Sequence, residues 1–107
     1  VYQREPDREA LLERGKAFEE NVELVPGELH YCHANVASLW SGNREMFAIV
    51  TGYALSEDGL WRQHSWLLQK KPFMGQAHLL ETTCTRVRYF GIVLTDKEAE
   101  EFSRINR

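Results

Sequence analysis

Cysteine is scarce in this sequence, and so is proline: the chain has two of the first, Cys32 and Cys84, and three of the second. Two cysteines do not make a disulfide framework, so a hydrophobic core must hold the fold, and two free thiols in a reducing compartment are expected. No apolar run approaches the length that crosses a bilayer. No block of lysine and arginine stands out. Thirteen basic against sixteen acidic residues leave a net charge of -3, which gives no electrostatic footprint for DNA or RNA. There is no glycine-rich phosphate loop and no dinucleotide fingerprint, nor any internal repeat or low-complexity tract. Neither a membrane nor a nucleic-acid partner is therefore expected. No signal peptide is visible, and the chain opens on Val1 rather than Met, which leaves a fragment or a processed chain open. A cytoplasmic location is the expectation, with a secreted effector domain as the other reading.

What is present is ordinary for a folded protein. With 43% hydrophobic and 27% charged residues, 107 residues can bury one core but not two, so a single domain over 1–107 is expected. Pro6 and Asp7 signal a helix start, with Asp7 as N-cap and Glu9 in the first turn. Ala10, Leu11, Ala17 and Phe18, with Leu12 at the edge, make one helical stripe, so the pattern predicts a helix from Arg8 to about Asn21. Gly15 weakens that helix by about 1 kcal/mol relative to alanine. Residues 22–29 read as a connector, with Pro26-Gly27 as a turn.

A second helix is predicted from Cys32, carrying Ala34, Val36, Ala37, Leu39 and Trp40 and ending near Ser41-Gly42-Asn43. Phe47 to Leu55 and Leu60 to Gln69 read as strands joined by the Ser56-Glu57-Asp58-Gly59 hairpin turn. A loop with Pro72 and Gly75 leads to a third strand over 77–83, and a fourth is predicted over 86–94. Thr95 to Glu98 is a capping box that opens a last helix to about Ile105. The order predicts an α+β fold: a Cys-bearing helix on an antiparallel sheet of about four strands, flanked by N- and C-terminal helices. Trp61, Trp66, Tyr53, Tyr89 and Phe90 are expected in the core or half-buried in the sheet. Ser65 and Thr82 fall on the faces opposite to their neighbours His64 and Glu81 and read as structural, as does Cys84 near a turn.

Three residues carry chemistry. Cys32 at a helix start sits where unpaired backbone N–H groups and the dipole favour negative charge, which lowers a thiol pKa. His64 on one strand supplies a base, and Glu81 on the next supplies a group to orient it and stabilise the imidazolium. Same-face residues on neighbouring strands can touch, since strands lie about 4.8 Å apart. A backbone N–H at the helix start can hold an oxyanion. A competing metal reading joins His30, Cys32 and His33 with His64 or His78. That spacing matches no zinc pattern, and Cys32 and His33 point about 100° apart on a helix, so no metal or other cofactor is expected.

The arrangement resembles the papain-like fold superfamily in its broad sense, which includes papain-type peptidases, cell-wall amidases and transglutaminases. The match is Cys32 in Leu-His-Tyr-Cys-His-Ala-Asn, His64 in Trp-Arg-Gln-His-Ser-Trp and Glu81 in Leu-Leu-Glu-Thr-Thr, and the order of elements agrees from about Gly27 to Leu94. The resemblance implies a Cys32–His64–Glu81 triad acting on a peptide or protein amide through a thioester on Cys32. Hydrolysis makes such a protein a peptidase, amidase or deamidase; transfer to an amine makes it transglutaminase-like. A non-catalytic protein-binding domain of the same fold is the reading from another class. Papain itself carries a Gln shortly before the nucleophile, whereas this chain has Val25, Pro26 and Glu28 there. His30, Asn35 or Gln63 is then the substitute oxyanion donor, or the backbone acts alone, and Trp66 can shield the His–Glu contact from water. The small size favours the compact amidase or transglutaminase-like variants.

Overall fold

A computed structural model describes residues 8–71 and 78–106. The expected N-cap Asp7 and the loop residues Pro72 and Gly75 lie outside the described residues, as does the expected start of the third strand at Ala77. The elements are α1 (Arg8–Arg14), β1 (Lys16–Phe18), β2 (Asn21–Leu24), α2 (Cys32–Gly42), β3 (Phe47–Leu55), β4 (Trp61–Gln69), β5 (His78–Glu81), β6 (Arg88–Val93) and α3 (Asp96–Asn106). The fold is α+β, as the pattern of elements predicts.

Two corrections concern the first quarter of the chain. The helix expected to run to Asn21 stops at Arg14. Gly15 donates its N–H to the Leu11 carbonyl, 3.0 Å away, and the chain turns so tightly there that a Cβ on Gly15 would meet that oxygen at 2.3 Å. Ala17 and Phe18 continue the helical spacing by coincidence. They belong to β1, antiparallel to β6, with Phe18 opposite Tyr89. The supposed connector contains β2, which runs parallel to β5 with all four residues exposed. The sheet therefore has six strands rather than about four, in the order β1-β6-β3-β4-β5-β2. It is mixed, because β2 joins β5 in parallel while the other pairs are antiparallel.

Strand alternation divides the interior in two. On one face Ile49, Leu67, Leu80 and Ile92 pack with Val36, Ala37 and Trp40 of α2 and Ala99 and Phe102 of α3. On the other, Val50, Trp66, Leu79 and Tyr89 gather with Phe18. Phe18 stands on the edge strand β1, three positions from β4 in the sheet, yet its ring meets Trp66 edge-on at 5.7 Å. The sheet is thus curled, with the helices α2 and α3 outside the curl and the Trp66 layer within it. Each large apolar side chain buried this way contributes roughly 1.5–3 kcal/mol relative to exposure.

Local chemistry sets the element ends. Gly59 has φ 84° and closes the β3–β4 hairpin, whose strands pair from Phe47↔Gln69 to Leu55↔Trp61. The expected capping box opens α3: the Thr95 hydroxyl accepts from the Glu98 N–H at 3.2 Å, and Glu98 accepts from the Thr95 N–H at 2.9 Å. Glu98 also pairs with Arg14 at 2.8 Å, joining α1 to α3. Of the aromatic residues expected inside, Trp66 and Tyr89 are buried, whereas Trp61 at the hairpin end is 48% exposed and Phe90 is exposed on the outer face. No helix among the described residues is long and apolar enough to cross a membrane.

Candidate active site

Cys32 is the first residue of α2. Residues 25–31 deliver it there. Val25 and Gly27 donate N–H bonds to the carbonyls of Glu81 and Thr82, at 2.8 and 2.7 Å, so the loop follows the end of β5. Asn35 ties it from the other side, donating to the Glu28 carbonyl at 2.8 Å. A side chain at position 27 would collide with Asn35, since a Cβ there falls 2.6 Å from it. Two residues before the cysteine, His30 takes φ 69°, a left-handed turn uncommon outside glycine. Tyr31 at the N-cap supplies no side-chain cap. In contrast with α3, the first-turn N–H groups of α2 are not claimed by a side-chain cap.

His64 lies on the inner face of β4 and Glu81 at the end of β5. Their strands pair only at Leu67↔Leu80 and Leu68↔Leu79 among the described residues. β5 ends at Glu81, so the stretch of β4 that carries His64 has no β5 partner among the described residues. His33 and His64 are the two groups whose electrostatics act on the Cys32 thiol.

His64 and Glu81 are 2% and 0% exposed, and the imidazole Nε2 lies 2.7 Å from Glu81 Oε1 and 3.0 Å from Oε2. The carboxylate is held from three further directions. Tyr89 donates its hydroxyl to Oε1 at 2.9 Å, and Thr83 donates both its N–H and its hydroxyl to Oε2, each at 3.0 Å. Tyr89 in turn accepts the Arg86 N–H at 3.1 Å. Burial pushes the Glu81 carboxyl up, but His64, Thr83 and Tyr89 together bring it below its ordinary value. An ionised Glu81 only accepts, so Nε2 carries a proton and Nδ1 is the ring nitrogen not bonded to Glu81.

The same balance governs the other two groups. Burial drives the His64 pKa down, but hydrogen bonds to Cys32 and Glu81 and their charges raise it overall. Burial pushes the Cys32 thiol up; the hydrogen bonds of His33 and His64, with their charges, outweigh it and bring the thiol down to about 5. The arrangement therefore favours a thiolate–imidazolium pair near neutral pH. Trp66 and Tyr89 lie 5.9 and 6.4 Å from the His64 ring, centroid to centroid, so two buried aromatic rings pack beside it.

The remaining sequence candidates separate. Asn35 spends its amide on the Glu28 loop, and His30 is exposed on the turn. Gln63 keeps a buried Nε2 without a hydrogen-bond partner among the described residues. His78 pairs with Glu23 at 3.3 Å, and no group of three or more His, Cys, Asp and Glu is placed to hold a metal among the described residues. Cys84 is exposed. Ser65 is buried on the face opposite His64 and bonds His33 at 2.7 Å and Thr51 at 3.1 Å. The sequence reading missed Tyr89 and Thr83 as partners of Glu81. Thr83 was detectable, because a Thr two residues after a carboxylate often closes such a local bond; Tyr89 depends on the register of β6. No family model, no curated protein and no solved structure matches this chain.

Proposed function

We propose that this chain is a cysteine-dependent amide hydrolase of papain-like plan, acting through a thioester on Cys32. The observation that carries the reading is the buried His64–Glu81 pair, which acts electrostatically on Cys32 at the start of α2. In the first step the Cys32 thiolate attacks the amide carbon, forming the C–S bond and an oxyanion. The tetrahedral species collapses, the C–N bond breaks, and the His64 imidazolium gives its proton to the departing amine. Neutral His64 then takes a proton from water as the hydroxyl attacks the thioester. The C–S bond breaks, the acid leaves, and the thiolate–imidazolium pair is restored. Glu81 stays ionised throughout and holds the ring orientation. The first-turn N–H groups of α2 and the unpartnered Gln63 Nε2 are the donors best suited to the oxyanion. An amine in place of water would make the same thioester a transferase intermediate.

The test is acyl trapping. With a p-nitrophenyl acyl ester, intact-mass spectrometry should show one acyl group on Cys32 that decays with time, absent in Cys32→Ser and slow to form in His64→Ala. A panel of peptide and side-chain amides then reports turnover. Acylation of Cys32 no faster than of exposed Cys84, unaffected by His64, would overturn the enzyme reading and favour a binding domain that keeps the geometry without the chemistry.

A further inference from the structure

The chain neighbours of Cys32 and His64 are bonded to each other. His33 follows Cys32 on α2, and Ser65 follows His64 on β4. His33 Nδ1 and Ser65 Oγ lie 2.7 Å apart, so one hydrogen bond joins the two elements a single residue beyond the nucleophile and a single residue beyond the base. Ser65 is bonded in turn to Thr51, with 3.1 Å between the two hydroxyl oxygens. Thr51 and Ser65 are both fully buried and stand directly opposite each other in the β3–β4 ladder, next to the Gly52↔His64 pair. Phe102 of α3 packs edge-on against the His33 ring at 5.9 Å. Elsewhere the start of α2 is loosely held. Tyr31 supplies no side-chain cap, and Asn35 bonds the backbone of Glu28 in the exposed loop. Apart from the nucleophile, His33 is the first-turn residue of α2 whose side chain bonds a strand among the described residues. The buried anchors of the helix begin only at Val36, about 6 Å further along the axis. A tilt of about 10° around that point would move the thiol end by about 1 Å, and a misplacement of that size costs about 10²-fold in rate.

We infer that the His33–Ser65 bond, backed by Thr51 and Phe102, is a latch that aligns Cys32 with His64, and that His33 and Ser65 are positioning residues. The inference rests on Cys32 and His64 being the nucleophile and base proposed above. No proton or electron moves through the latch, and it holds whichever of the two atoms donates the hydrogen. Its action is geometric: it fixes where the first turn of α2 meets β4. Its loss leaves both reacting groups in the chain, so it slows acylation rather than weakening substrate binding. That loss should disappear once His64 is removed, because no base is left to align. A residue that only supported the fold, or that acted on the thiol by itself, would show no such dependence on His64.

The test is the rate of Cys32 acylation by a p-nitrophenyl acyl ester, read by intact-mass spectrometry over a range of ester concentrations in a Cys84→Ser background. His33→Ala and Ser65→Ala should each lower the maximal rate by about 10–100-fold with KM nearly unchanged. The double variant should be no slower than either single one, as expected of two ends of one contact. His33→Asn, whose amide can still bond Ser65, should recover most of the rate. His33→Phe keeps a ring against Phe102 and guards against a variant that does not fold; it should be as slow as His33→Ala. In a His64→Gln background, His33→Ala should bring no further loss. A parental rate in His33→Phe, or the same loss from His33→Ala with and without His64, would overturn the inference and leave the triad standing. A parent protein in which Cys32 is acylated no faster than Cys84 in the unsubstituted chain would instead overturn the nucleophile reading, and the latch with it.

Discussion

His64 presents one nitrogen to two oxygens of the same carboxylate: Nε2 is 2.7 Å from Glu81 Oε1 and 3.0 Å from Oε2. Both side chains are out of contact with water. In Glu81→Gln the orienting charge is lost while the shape is kept. Turnover of any amide substrate should fall by about 10²–10⁴. The alkylation midpoint of Cys32 should also rise, because His64 becomes a weaker proton holder. An unchanged midpoint would mean that Glu81 is a structural anchor only.

Tyr89→Phe removes a donor to Glu81 and the acceptor of the Arg86 N–H. Leaving these buried groups short of a partner should cost about 1–3 kcal/mol of stability by urea denaturation. The loss of activity should be smaller than in Glu81→Gln, since Thr83 still grips Oε2. Equal losses in the two variants would show that Tyr89 acts on the chemistry directly.

Stability should depend on pH with a shape set by the site. Glu81 lies below its ordinary 4.5 in the folded chain, so its contribution is present above that value and fades as pH falls through the folded one. Cys32 drops from 9.0 to about 5. Between about pH 5 and 6.5 the folded state holds a thiolate where the unfolded state holds a thiol, so the unfolded state binds more protons and stability climbs with pH. Above 6.5 the raised pKa of folded His64 takes effect. His64 keeps its proton when folded and loses it when unfolded, and this cancels the cysteine term. Its stabilisation is full below 6.5 and is lost as pH rises through the folded value. The urea midpoint should therefore climb from acid to about pH 6.5 and then level off. In Cys32→Ala the climb above pH 5 should vanish; if it persists, the ion pair is not its source.

Gly52 lies opposite His64 on one side and Gly91 on the other. A Cβ on Gly52 would fall 2.3 Å from the Phe90 carbonyl oxygen, a backbone atom that cannot swing aside. Gly52→Ala should cost about 1–3 kcal/mol and weaken activity by disturbing β4 at the base. Calorimetry on Gly52→Ala checks this, and a neutral result would show that β3 and β6 can part without loss.

The start of α2 at Cys32 and the His64–Glu81 contact were legible from two local signals: a helical pattern that begins at Cys32 and strand alternation that puts Glu81 and His64 on one face. The β3–β4 hairpin and the Thr95 cap were legible for the same reason, since turn and capping chemistry are local. Phe18 and Val22 were not. Three- and four-residue edge strands carry too little alternation to outweigh a helical stripe, and only pairing with β6 and β5 defines them. The partner of His33 was not legible either, because the Ser65 hydroxyl that it meets comes from β4 and depends on how α2 packs on the sheet.

The two core layers give the two halves of the candidate site separate foundations. The nucleophile and His33 are seated on the layer that includes Trp40, Leu67 and Phe102, while His64 rests against Trp66 and Tyr89 on the other side. Packing faults in one layer displace the sulfur relative to the ring, and faults in the other displace the ring relative to the sulfur. Small changes far from both residues can thus tune their alignment independently, so under the proposed function the two cores are where variation in rate can accumulate while Cys32, His64 and Glu81 stay unchanged.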